Sequence, residues 1–226
     1  MRVELTKECY MEAAHKNERG LHGHSYRIEL VAEGEVDPDV GWLVDYGDIK
    51  RAFEPLYAQL DHAYLNDVAG MTDTSTEGVR AWILERLKPA LPCVTDVRVS
   101  IVGERAFHPV ELAADPARNL PRRLRFSFDA AQSLPNLPER HPCRRLHGHT
   151  YRVEVGAEDF DGLVEPLRKL HESLDHRYLN EVPGLDAATS ERLCRWIWNG
   201  LRQKVQGLTI VVIQETATAR CAYYGD

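Results

Sequence analysis

Paired cysteines are missing from this 226-residue chain. Its five cysteines, Cys9, Cys93, Cys143, Cys194 and Cys221, form no CxxC pair and no paired spacing. That excludes a disulfide framework and points to free thiols in a reducing cytosol. Long apolar runs are missing too. No stretch approaches the ~18 residues a membrane helix needs, and the first residues contain no apolar signal-type segment. The expectation is a cytoplasmic protein with no membrane partner. Positive charge is in deficit: 28 Lys and Arg stand against 35 Asp and Glu, a net charge of −7, which argues against nucleic acid as the main partner. Local basic clusters at Arg122, Arg123, Arg125 and at Arg140, Arg144, Arg145 read either as solvated surface or as phosphate contacts beside a pocket.

What the chain does have is a phrase written twice. Leu21-His22-Gly23-His24-Ser25-Tyr26-Arg27 returns 125 residues later as Leu146-His147-Gly148-His149-Thr150-Tyr151-Arg152. In a strand, residues two apart share a face, so each pair of histidines projects together, and paired imidazoles suit zinc.

The repeat extends outward from this phrase. Alternating segments beginning Arg2-Val3-Glu4-Leu5 and Leu124-Arg125-Phe126-Ser127-Phe128 predict strands. They end in Glu12-Ala13-Ala14-His15 and Asp129-Ala130-Ala131-Gln132. Helical pattern leads to Leu60-Asp61-His62 and Leu174-Asp175-His176, now 114 residues apart, so the second copy is 11 residues shorter in between. The lost segment, around Gly34 to Gly41, reads as a hairpin connection, followed by a strand at Gly41–Asp45 that shrinks to Gly162–Glu165. Ser75-Thr76-Glu77 and Thr189-Ser190-Glu191 are helix starts with a hydroxyl and an acid in the first turn. Apolar strands Val97–Val102 and Leu208–Ile213 close the copies, reaching Glu104 and Glu215. The predicted organisation is an N-terminal unit (1–112), a linker (113–121) and a C-terminal unit (122–226), each strand, strand, helix, helix, then closing strands: an α+β class rather than a parallel βαβ sheet.

The ordered set Cys143-Arg144-Arg145-Leu146-His147-Gly148-His149, Leu174-Asp175-His176, Thr189-Ser190-Glu191 and Gln214-Glu215-Thr216 resembles the 6-pyruvoyltetrahydropterin synthase family. So does the set Ala13-Ala14-His15, the first HxH phrase, Leu60-Asp61-His62 and Glu77. The likeness is greatest to the bacterial 6-carboxytetrahydropterin synthase branch of queuosine biosynthesis. The resemblance implies two tandem T-fold (tunnelling-fold) units, antiparallel sheets with helices on one face that assemble into barrels. It implies Zn2+ on the Ala-Ala-His histidine and both HxH histidines, and a catalytic cysteine four residues before the first of these. It also implies an Asp-His pair supplied by a neighbouring unit, glutamates that anchor a pterin, and 7,8-dihydroneopterin triphosphate as substrate.

On that template the metal residues are His15, His22 and His24 in the first copy and His147 and His149 in the second. The catalytic set is Cys143, Asp175, His176, Asp61 and His62, with Glu18 standing where the first copy lacks a cysteine. The substrate-binding set is Glu215, Glu191, Glu104 and Glu77. Arg144 and Arg145 are candidates for the triphosphate. The chemistry is coherent: three neutral imidazoles leave one open zinc position, and an open Lewis acid stabilises enediolate charge. A thiol beside a histidine oriented by aspartate supplies a base. A carboxylate pairs with the two N–H groups of a pterin edge. His108, His141 and His171 read as ordinary polar residues.

The copies fall short in complementary ways. The first has three histidines but Glu18 where the cysteine belongs. The second has Cys143 but Gln132 where the third histidine belongs, and an amide oxygen is a poor zinc ligand beside imidazole. Cross-service by His62 to Cys143, or His176 to Glu18, is open if the halves pack as unlike neighbours. Three functional readings stand: a zinc-dependent pterin lyase, a pterin- or purine-binding protein whose catalysis has decayed, and a zinc lyase or hydrolase with another substrate. Exposed strand edges favour a homo-oligomer, a trimer ahead of a dimer.

Overall fold

The computed structural model describes residues 1–104 and 106–225. Its first element, β1 (Arg2–Asn17), alternates between exposed and half-buried residues up to Tyr10 and is then buried continuously from Met11 to His15. Continuous burial means both faces of the strand are covered there, and the two coverings position the site. On one face lie helices. A two-residue tip, Glu18-Arg19, turns β1 into β2 (Gly20–Glu35), with Gly20 at φ +98°, a backbone region that glycine enters without steric cost. Then follow α1 (Tyr46–Leu60), β3 (Ala63–Tyr64), α2 (Thr76–Leu87) and β4 (Val94–Ile101). The sheet order is β3-β1-β2-β4, antiparallel except for the short β1–β3 pairing. Ile49, Phe53, Trp82 and Ile83 of the helices pack on Met11, Tyr26, Ile28 and Leu30. Ser75 caps α2 by accepting the Gly78 N–H, as its position predicts.

The second half repeats this plan. After β5 (Val110–Leu112) come β6 (Arg123–Gln132), β7 (His147–Ala157), α3 (Val164–Leu174), β8 (Arg177–Tyr178), α4 (Ser190–Leu201), β9 (Leu208–Gln214) and β10 (Arg220–Tyr223). The order is β10-β9-β7-β6-β5, with β8 beside β6. Among the described residues the fold is therefore α+β, two mainly antiparallel sheets with four α-helices. Its topology differs from the expected division at one point. β5, placed at the end of the first unit, joins the edge of the second sheet.

The second covering of β1 and β2 is the other half. Ser25 N–H donates to Thr150 Oγ1 and Thr150 N–H donates to Ser25 Oγ, both at 3.1 Å. Two glycines permit this approach: a Cβ on Gly23 would lie 2.5 Å from the Gly148 Cα.

Two sequence expectations are corrected. Gly41–Asp45 is not a strand: Asp45 instead caps α1, accepting the Gly47 N–H. Gly162–Glu165 runs from a glycine at φ +79° into α3. In both places short apolar runs serve a helix entry, which periodicity alone does not distinguish from a strand.

Candidate functional site

The hairpin register builds the first histidine cluster. His15 and His22 are directly paired across β1 and β2, and His24, paired with Ala13, follows on the same face. His15 Nε2 lies 3.0 Å from His22 Nε2 and 3.2 Å from His24 Nε2. Each Nδ1 has an outward partner: Thr74 Oγ1 at 3.1 Å for His15, the Gly20 carbonyl at 3.1 Å for His22, and Asp129 Oδ2 at 3.1 Å for His24. The last is a close approach rather than a well-aligned bond. With the Nδ1 atoms of His15 and His22 hydrogen-bonded and that of His24 facing a carboxylate, three Nε2 atoms converge, the arrangement a metal ion requires of histidine. Burial, ahead of the neighbouring imidazoles, pushes His15 down to about 4 and His22 down to about 3. Both rings are therefore neutral near pH 7.

The other half completes this site. The His176 ring stands 4.3 Å from that of His22. His176 Nδ1 is 2.7 Å from Asp175 Oδ2, and its Nε2 is 3.2 Å from an Arg19 guanidinium nitrogen. Arginine only donates, so Nε2 presents its lone pair and Nδ1 donates to the aspartate. His176 holds φ +56° and His62, its counterpart, φ +52°, a left-handed conformation that costs a non-glycine residue about 1–3 kcal/mol. Each is held there in the same way. Asp175 Oδ1 accepts the Asp129 N–H at 2.9 Å while the His176 N–H donates to the Asp129 carbonyl at 2.6 Å. Asp61, His62 and Glu12 repeat both distances. Burial alone would raise the two aspartates, but the bonds from imidazole and strand N–H outweigh it and lower both. A cavity of about 310 Å³, lined among others by Arg19, Thr74, Thr76, Ile101 and His176, opens on the triad.

In the second half Gln132 and His147 form the corresponding cross-strand pair, with His149 beside them. Gln132 Nε2 donates to Glu215 Oε1 at 2.7 Å and lies 3.5 Å from His147 Nε2. Glu215 Oε1 also sits 3.2 Å from His149 Nε2, and its Oε2 accepts from Ser190 at 2.6 Å. A donor amide and its carboxylate thus stand among the groups that, in the first half, offer only lone pairs. His62 crosses from the first half to this centre, its ring 4.8 Å from that of His147. One ligand atom from each of His62, Cys143 and His147 lies within 4.8 Å of the others.

Several expected residues lie elsewhere. Glu18 is exposed at the hairpin tip, while its neighbours Asn17 and Arg19 line the cavity. A tip of two residues leaves no loop to carry the side chain inward. Glu104 is exposed and its N–H donates to Ser127. The register shows why it is not the partner of Glu215. Arg27 faces Ser100 and Arg152 faces Gln214, so Ile101 occupies the Glu215 position. Glu77 is exposed and paired with Arg80 at 2.9 Å. Glu191 is exposed in the first turn of α4, where bonding to backbone N–H and to Thr189 lowers its carboxyl. Arg144 folds onto the carbonyls of Pro135 and Leu137 and so closes the Cys143 loop rather than facing a substrate. Arg145, near the Asp61 carbonyl at 3.4 Å, does line a cavity of about 690 Å³ beside His62. His141 stabilises the turn that carries Cys143, accepting its N–H at 3.2 Å.

The residues that went unassigned are Glu12 and Asp129. Both are buried; each lies three positions before His15 or Gln132, and each reaches the other half. Glu12 Oε2 is 2.8 Å from His149 Nδ1, and Asp129 approaches His24. The signal was present: an acid occupies the same repeat position in both copies.

The family described as 6-pyruvoyl tetrahydropterin synthase matches residues 4–106 and again 123–226. Among curated relatives, the 6-carboxy-5,6,7,8-tetrahydropterin synthase of Synechocystis is 40% identical over 118 residues, covering 44% of this chain and 88% of its own. The dihydroneopterin monophosphate aldolase of Pyrococcus furiosus is 31% identical over 96 residues, covering 41% of this chain and 81% of its own. The solved 6-pyruvoyl tetrahydropterin synthase of Caenorhabditis elegans aligns with 44% of this chain and 89% of that one, at TM-score 0.41 and 22% identity.

Proposed function

Because the chain belongs to the 6-pyruvoyl tetrahydropterin synthase family, once in each half, we propose that it is a zinc-dependent pterin lyase whose metal centre is His15, His22 and His24. The observation that carries this reading is the convergence of three Nε2 atoms, with hydrogen bonds to Nδ1 of His15 and His22 and Asp129 facing Nδ1 of His24. The donor set fits a three-histidine catalytic zinc with one position left open. Zinc there would supply Lewis-acid polarisation of substrate oxygens.

The remaining work falls to this chain's side chains. His176 Nε2 takes a proton from the substrate side chain, and Asp175 orients the ring and stabilises its protonated form. Arg19, displaced from Nε2 by substrate, pairs with a phosphate. The base role thus moves from Glu18 to His176. The substrate is 7,8-dihydroneopterin triphosphate, processed as by 6-carboxytetrahydropterin synthase. The second half supports the first with His176 and Asp129. Edge strands, β4 among them, favour self-association, and a homotrimer is the assembly we infer.

Ile101 favours a second reading. Without a carboxylate at that position the first site lacks the expected partner for a pterin edge, which suits a different substrate or a binding role. The deciding experiment incubates zinc-loaded protein with dihydroneopterin triphosphate and, separately, dihydroneopterin monophosphate, and identifies products by mass. A 6-carboxy product from the triphosphate supports the first reading. Cleavage of the monophosphate alone moves the assignment to aldolase chemistry. Binding of either without product supports the second reading.

A further inference from the structure

The side chains left over from the first centre form a second constellation between the halves. Cys143 comes from the second half on a 3₁₀ turn (Pro142–Arg144) whose loop is closed by the Leu134 N–H donating to the Cys143 carbonyl at 2.9 Å. His62 comes from the first half. Its Nδ1 lies 2.9 Å from Asp61 Oδ2, and His147 Nδ1 lies 2.8 Å from the Arg145 carbonyl. Both acceptors fix the tautomer, so both rings keep an Nε2 lone pair. Gln132 engages the His147 Nε2 only at 3.5 Å, the limit of a hydrogen bond.

We propose that Cys143, His62 and His147 form a second, inter-half metal site for zinc or a chemically similar divalent ion, separate from the three-histidine centre. Its basis is the approach of the three ligand atoms to within 4.8 Å of one another. One thiolate with two imidazoles is a soft, mixed donor set that selects zinc over magnesium or calcium. Asp61 behind His62 is the outer carboxylate such a ligand uses. Loading converts the Cys143 thiol to a thiolate, and the proton leaves to solvent through the cavity beside His62 and Arg145. This assignment is independent of the pterin reading, because the two centres share no ligand.

Cobalt(II) tests it, since only a thiolate-ligated ion gives near-ultraviolet sulfur-to-metal charge-transfer absorption. The full-length protein is expected to bind two cobalt ions per chain and to show that band. His24→Ala is expected to keep the band and lose one ion. Cys143→Ser should lose the band and one ion, while His62→Ala and His147→Ala should each weaken the band-forming site at least about tenfold, the least expected even for an outer-shell change. Far-ultraviolet circular dichroism verifies folding, and if Cys143→Ser does not fold, the two histidine variants decide. No band from folded protein saturated with cobalt overturns the proposal. So does a band of unchanged affinity in His62→Ala or His147→Ala, which would assign the thiolate to one of the other four cysteines. Failure of the three-histidine reading shows separately, as a His24→Ala variant that still binds as many ions as the unsubstituted protein.

Discussion

Glu12 and His149 belong to opposite halves of the chain, yet Glu12 Oε2 stands 2.8 Å from His149 Nδ1, and Asp129 repeats the relation toward His24 at 3.1 Å. Each half therefore lends a carboxylate to the other's histidine pair, while Asp61-His62 and Asp175-His176 lend an imidazole in the same direction. Only in the first half does the borrowed carboxylate stand behind a complete triad.

If Asp129 positions a metal ligand, Asp129→Asn should weaken zinc binding at the first centre by about 10- to 100-fold. Glu12→Gln, which acts on His149, should leave that affinity unchanged. Chelator competition measures both. Equal effects from the two substitutions would mean that they act on general packing instead.

His176→Ala should lower turnover of the accepted pterin by about 10²- to 10⁴-fold, the range for a general acid–base group. Zinc content at the first centre should not change, because His176 approaches His22 without being one of the three converging ligands. Wild-type turnover in this variant would remove His176 from the proton transfer.

Gly148→Ala should destabilise the protein by more than the roughly 1–3 kcal/mol usual for overpacking. The added Cβ would meet Gly23 Cα at 2.4 Å and the Ala130 carbonyl at 2.8 Å, both backbone atoms that cannot rotate away. Urea unfolding gives the difference, and an unchanged midpoint would falsify the close approach of the two halves.

Metal-free protein should lose stability as the pH falls from about 6.5 toward 4. Burial pushes His15 down to about 4 and His22 and His147 down to about 3. The unfolded chain protonates its histidines near 6.5. In that window unfolding takes up protons that the folded state refuses, so acid favours unfolding. Asp61 and Asp175 act in the same sense but lower on the scale, because their depressed carboxyls lose their contribution only as pH drops through the ordinary aspartate range and below. Urea midpoints of chelator-treated protein at pH 7.5 and 5.0 check the sign. A higher midpoint at pH 5.0 would contradict it.

His22 and His24 were legible from strand alternation, which puts residues two apart on one face, whereas His15 was expected only from the family resemblance and joins them through the β1–β2 register. The helix starts at Ser75 and Thr189 were likewise legible from local pattern. Glu18 and Glu104 were misplaced because counting from a motif does not give the register. A two-residue tip turned Glu18 outward, and pairing of β2 with β4 put Ile101 where a glutamate was sought. Glu12 and Asp129 escaped notice for a different reason. An acid on the alternate face of a strand normally meets water, and only the second half of the chain converts that face to an interior.

β5 carries the last consequence. A strand that follows the first half's closing strand in sequence hydrogen-bonds with residues 123–125 at the edge of the second sheet. Cutting the chain between the halves would not yield two autonomous proteins, since the C-terminal fragment would lose a strand and expose the β6 edge it covers. The two halves are tied together by this strand. The two copies are free to diverge in the ligands they keep for themselves, and constrained in the strand, carboxylates and imidazoles they share.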